Sequence, residues 1–175
     1  MKMSAVSKDF YDFWAKSEVL TIKIKDMEPN KLRVMFEKNI LEMLHRRKIY
    51  GVPLTRCTIA LHSLVSSTFV TEVLHCVVDS NVKHLHVQAF TGFFTPCARF
   101  PSSINCSSLT TLCIKDVYGE SFELPKSVIL PNLKVLRLHD FEFSNDNYNG
   151  AIFEGCPNLQ KLVIVKCRMK FTLNL

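Results

Sequence analysis

The chain has 175 residues, 22 of them basic and 16 acidic, for a net charge of +6. Hydrophobic residues make up 47% of it, with only five Gly and seven Pro, which excludes a disordered, collagen-like or low-complexity chain and suits a single folded domain. No apolar run reaches the ~18 residues of a membrane span, and Lys2, Lys8, Asp9 and Asp12 break the N-terminus before a signal-peptide core can form. The moderate positive balance permits an acidic partner without requiring nucleic acid.

Seven cysteines (57, 76, 97, 106, 113, 156 and 167) form an odd set without C-x-x-C spacing. They predict reduced thiols in the cytoplasm or nucleus, several acting as small core residues.

In chain order, Val19 to Ile24 alternates apolar and polar residues, the signature of a half-buried strand. From Asn30 to Arg47, Leu32, Phe36, Ile40, Met43 and Leu44 recur every three to four residues and predict a helix. His45, Arg46 and Arg47 would complement its C-terminal dipole. After a partial strand pattern at 56–61, Phe69/Val70, Val73/Leu74 and Val77/Val78 predict a second helix over about 68–78, ended by Asp79-Ser80-Asn81. The stretches 89–105 and 118–130 carry Gly and Pro without a helical period and are read as irregular returns. A short helix is expected around 147–154, with Gly155 as its C-cap and Pro157 preventing its continuation.

An internal period organises these elements. Val82-x-x-Leu85-x-Val87, Leu109-x-x-Leu112-x-Ile114, Leu133-x-x-Leu136-x-Leu138 and Leu159-x-x-Leu162-x-Ile164 share the pattern L-x-x-L-x-L. Their spacing lies within the ~20–29 residues of a leucine-rich repeat. The two apolar residues of L-x-L face one side of a strand, and one such strand cannot bury that face alone. The fold class expected is therefore α/β: a leucine-rich-repeat solenoid with a curved parallel sheet, and helices and irregular loops on the convex side. Strands are expected near 19–25, 57–62, 83–88, 110–115, 134–139 and 160–165.

These segments resemble plant F-box proteins with leucine-rich repeats, the group often carrying an FBD region. The resemblance rests on Phe69–Leu74 followed by Asn81–Leu85, on Phe122–Ser127 (F-x-L-P-x-S), on Leu130–Lys134, on Phe143–Asp146, and on Gly155–Leu159 (G-C-P-x-L). Residues 4–14 resemble the end of an F-box: Ser7, Lys8 and Trp14 match, Phe10 stands at a Trp position, and Asp9 replaces an Arg. The resemblance implies that residues 1–18 are the remnant C-terminal helix of an F-box, with Phe10, Phe13 and Trp14 capping the repeats of 19–175. Most of the F-box is missing, and the uncapped alternation of 171–175 leads into no FBD region, so truncation at both ends is expected. In the family, the F-box docks on the Skp-type adaptor of a cullin ubiquitin ligase and the repeats recognise a protein substrate. For this chain the adaptor contact is doubtful on that account. The alternative is a stand-alone repeat module, or a partial gene product, without ligase coupling.

The x positions of L-x-L would line the exposed sheet face. They include Lys23, Lys25, His62, His84, His86, Lys115, Arg137, His139 and Lys161, with no carboxylate. This row is the candidate partner-binding surface, suited to an acidic or phosphorylated segment. A solvated sheet face is the plainer reading. His84 and His86, about 7 Å apart on one strand, are too few for a metal site. There is no G-x-S-x-G, no P-loop and no local signature of a nucleophilic cysteine, so no enzyme, catalytic residue or cofactor is expected. Arg46-Arg47-Lys48 with Tyr50 is the one stretch suggesting nucleic acid, and a helix-end charge cluster explains it more simply. Neither nucleic acid nor membrane is expected as a partner.

Overall fold

The structure, a computed structural model, describes residues 16–24, 30–61, 66–90, 98–99, 103–116, 122–123, 127–140, 142–144 and 154–170. Six strands form one sheet: β1 (Val19–Ile24), β2 (Arg56–Leu61), β3 (His84–Ala89), β6 (Thr111–Asp116), β9 (Val135–His139) and β11 (Lys161–Val165). Each is parallel to the next and in chain order, so every connection steps to the adjacent strand. Parallel pairing requires the chain to return to its starting end between strands. Helix α1 (Asn30–Tyr50) makes the first return and α2 (Ser67–Asp79) the second.

The leucine pattern dictates the inner face. Leu20, Cys57, Leu85, Leu112 and Leu136 lie side by side in register, as do Ile22, Ile59, Val87, Ile114 and Leu138. All ten are at most 2% exposed. Each fully buried aliphatic side chain contributes about 1.5–3 kcal/mol, so these rows carry much of the fold's stability. The leading leucine of each repeat adds a third layer through Val82, Leu109 and Leu133, all buried. The layer thins at β11, where Leu162 is 44% and Ile164 47% exposed.

The helices close the core from the return side. Ile40, Met43 and Leu44 of α1 and Phe69, Val70, Val73, Leu74 and Val77 of α2 join the same buried cluster. Ser66 starts α2, its Oγ accepting from Phe69 N at 3.1 Å. Ser80 ends it: its N–H and Oγ both donate to the Cys76 carbonyl, and Asn81 turns the chain away at φ +56°. Cys57, Cys106 and Cys156 are buried in the core. Burial pushes the Cys57 thiol up to about 12, which leaves it an unreactive core group.

The later returns differ from the irregular loops expected of them. β4 (Ala98–Arg99) pairs in parallel with β7 (Phe122–Glu123), and β5 (Ser103–Asn105) with β8 (Ser127–Ile129). β10 (Glu142–Ser144) pairs likewise with β12 (Arg168–Lys170). Consecutive returns are similar enough to hydrogen-bond to one another, as the main strands do. Segments of two or three residues are too short to show a period in sequence.

Gly155 directly follows helical Glu154, where the helix end is expected, and it has a further role. A Cβ on it would sit 1.7 Å from the Val128 carbonyl oxygen. Its own carbonyl accepts from Leu130 N at 2.8 Å. Here glycine permits a close approach of two backbones rather than a left-handed turn. The helix expected over 147–154 lies outside the described residues, apart from Glu154.

Candidate functional site

The outward face of the sheet is set by the same register. Arg56, His84, Thr111, Val135 and Lys161 form one row across β2, β3, β6, β9 and β11, beginning with Val19 on β1. Thr21, Thr58, His86, Cys113, Arg137 and Val163 form the middle row. Lys23, Ala60, Gln88, Lys115, His139 and Val165 form the third. Neighbours within a row are about 4.8 Å apart.

The structure thus places Lys23, His84, His86, Lys115, Arg137, His139 and Lys161 on one face. Lys23, Arg137 and Lys161 are exposed; His84, His86, Lys115 and His139 are half-buried. None of the described outward positions is a carboxylate. Asp116, next to Lys115, points to the opposite face and is fully buried. Lys25 and His62, and Ser7, Lys8, Phe10, Phe13 and Trp14 of the F-box-like segment, lie outside the described residues.

His86 is half-buried at the centre of this face. Burial pulls its imidazole below the ordinary histidine range, and the neighbouring His139 and Lys115 reinforce this. Gln88 Nε2 lies 3.0 Å from His86 Nε2. An amide nitrogen only donates, so that ring nitrogen must accept, which also favours the neutral imidazole. Burial likewise raises the Cys113 thiol, keeping it protonated. The face therefore combines neutral polar groups at its centre with cations around them.

Sequence reading missed Arg56. β2 begins one residue earlier than expected, and Arg56 aligns with His84. The alternation of Arg56, Thr58 and Ala60 against Cys57, Ile59 and Leu61 carried the signal. The basic run 46–48 divides into three separate roles. Arg46 pairs with Glu42 at 2.7 Å, Lys48 reaches Asp79 at 3.0 Å, and Arg47, 1% exposed, donates to the Pro53 carbonyl at 2.9 Å. No group of three potential metal ligands occurs among the described residues.

Comparison with known proteins gives this repeat architecture a family. Residues 40–175 match the model for the leucine-rich repeats of FBD-associated F-box protein At5g56370. The chain belongs to this family of FBD-associated F-box leucine-rich-repeat proteins. Relatives in Arabidopsis thaliana include F-box/FBD/LRR-repeat protein At4g13965, 28% identical over 130 residues, covering 74% of this chain and 29% of the relative. FBD-associated F-box protein At4g13985 is 33% identical over 99 residues, covering 57% of this chain and 21% of that protein. F-box/LRR-repeat protein At3g26922 is 30% identical over 83 residues, covering 47% and 25%. The matched part of this F-box/LRR family member thus spans less than a third of each of these relatives. No solved structure matches the chain. No helix among the described residues is long and apolar enough to cross a membrane.

Proposed function

We propose that this chain is a substrate-recognition component of the kind found in SCF-type ubiquitin ligases, binding a protein partner and carrying out no chemistry of its own. The observation that carries the reading is the in-register parallel sheet of a family repeat whose outward face holds cations and no carboxylate. In this reading residues 19–175 form a leucine-rich-repeat solenoid. The six-stranded sheet is its concave side, and the helices and short return strands are its convex side. Lys23, Lys25, His84, His86, Lys115, Arg137, His139 and Lys161 contact the partner. Residues 1–18 are the remnant C-terminal helix of an F-box, the module that in the family engages a Skp-type adaptor, and the setting is the cytoplasm or nucleus.

A pull-down of the full chain with a plant Skp adaptor tests the coupling. Retention once an F-box is fused upstream of residue 1, and loss of that retention in Trp14→Ala, is the expected result. Absence of retention leaves the second reading, a repeat module that binds proteins without ligase coupling. That reading is supported by the sheet face, whose six described strands all lie within 19–165.

A further inference from the structure

Two cations and a histidine meet on adjacent strands. Lys115 on β6 is the register partner of His139 on β9, and Arg137 precedes His139 by two residues on the same face. From strand geometry, the three Cα atoms form a triangle whose longest side is about 8 Å. The long stems of Lys115 and Arg137 can bring their charged ends together over the His139 ring.

Among the described residues, no ion pair joins this charge to an acid. The ion pairs among the described residues, Arg46–Glu42 and Lys48–Asp79, belong to the helices. Asp116 is buried on the other face, and Asp140 lies past the end of β9, where the backbone turns at φ +56°. On the strand beside Lys115, Gln88 and His86 are occupied with one another. They supply neutral polar walls rather than further charge.

We infer that Lys115, Arg137 and His139 form a binding site for a phosphate monoester, a phosphoserine or phosphothreonine side chain of the partner; this rests on the reading of the sheet as the partner-binding face. A phosphate monoester carries about −1.5 to −2 charges and three acceptor oxygens, which matches the two positive charges of Lys115 and Arg137 with the His139 N–H as a further donor. A carboxylate carries one charge and two oxygens, and so answers less of the positive charge than a phosphate monoester does. Arg137 can bind two phosphate oxygens at once, Lys115 and His139 the third. Single-stranded nucleic acid is the weaker fit, because the described outward rows hold no Phe, Tyr or Trp on which a base could stack.

The test uses the immobilised full chain and three degenerate nonapeptide pools, with phosphoserine, serine or glutamate at the centre. A 20-nucleotide single-stranded RNA and vesicles containing phosphatidylinositol 4-phosphate run beside them. The expected result is retention of the phosphoserine pool about tenfold above the other two. That preference falls to unity in Arg137→Gln and Lys115→Gln, whose folding is verified by circular dichroism. Equal retention of the three pools overturns the inference, as does a phosphoserine preference that survives both substitutions, or retention of only RNA or vesicles. If the pools bind equally and Lys23→Glu or Lys161→Glu abolishes that binding, the sheet remains the partner face and only the phosphate site fails. If no pool is retained and a captured protein partner is unaffected by all four substitutions, both readings fail.

Discussion

Asn158 Nδ2 donates to the carbonyl of Pro131, one repeat earlier, at 2.7 Å. Asn132 makes the same contact one repeat back, donating to the Ser107 carbonyl at 2.7 Å. The two Pro-Asn-Leu triplets therefore tie each of these repeats to the one before it. Backbone bonds run alongside: Gln160 N donates to Lys134 O, Lys134 N to Thr110 O, and Thr110 N to Lys83 O, all at 2.8–2.9 Å. A turn carbonyl can otherwise be satisfied only by water, so the asparagine fixes the spacing of neighbouring repeats. Asn132→Ala should lower the unfolding free energy by about 1 kcal/mol, a typical net hydrogen-bond contribution. Asn132→Asp should cost more, because a carboxylate cannot donate to the Ser107 carbonyl. Urea denaturation of the two variants checks both values; a neutral Asn132→Asp would contradict this tie.

The two described glycines are constrained for different reasons, and alanine separates them. At Gly155 the added methyl meets the Val128 carbonyl oxygen at 1.7 Å. Both contacting groups are backbone, so the β8 segment must move, and the Leu130 N–Gly155 O bond must lengthen with it. Gly155→Ala should cost about 3 kcal/mol or more, in the range of overpacked or strained core sites. At Gly51 the methyl meets nothing, but φ is +61°. Gly51→Ala should cost only about 1 kcal/mol, the ordinary penalty for an L side chain in that region. Thermal denaturation of both variants tests the ordering.

The main sheet was legible because its signal is periodic. Leu85, Leu112 and Leu136 recur at nearly constant spacing and land in one register row. Period-two alternation then assigns the opposite face, which is why Lys115 and Arg137 could be placed together from the sequence. What remained hidden is aperiodic or depends on distant partners. Three residues such as Ser103–Asn105 become a strand only because Ser127–Ile129 lies beside them. The burial of Arg47 was equally invisible: a cation near a helix end reads as solvated, and only the fold brings the Pro53 carbonyl to it.

Arg47 gives a test of how this buried cation is tolerated. It is 1% exposed between α1 and the start of β2, and burial pulls its guanidinium below the ordinary arginine range. Arg47→Ala removes the donor to Pro53 O and leaves a void, and should cost about 3–5 kcal/mol. Arg47→Met keeps most of the volume without a charge to desolvate, so it should recover part of that loss. Equal destabilisation by the two variants, measured by urea denaturation, would show that the charge and its hydrogen bonds, rather than the filled volume, hold this corner together.

The last prediction concerns acid. His86 sits half-buried on the sheet, and its imidazole is held below the ordinary value of 6.5, first by burial and then by His139 and Lys115. The unfolded chain, with an unperturbed histidine, takes up a proton at higher pH than the folded one. As pH falls through about 6.5, the unfolded state therefore gains a proton that the folded state refuses, and stability declines. The decline continues until pH reaches the lowered folded-state value, below which both states are protonated. Protonation would also force the Gln88 amide to turn its oxygen, in place of its nitrogen, toward the imidazolium N–H. His86→Gln cannot titrate, so its stability should fall less than that of the parent between pH 7.5 and 5.5, the other five histidines being common to both. Urea unfolding at the two pH values gives the difference directly. An identical pH dependence in parent and variant would mean that His86 takes up its proton in the folded protein as readily as in water.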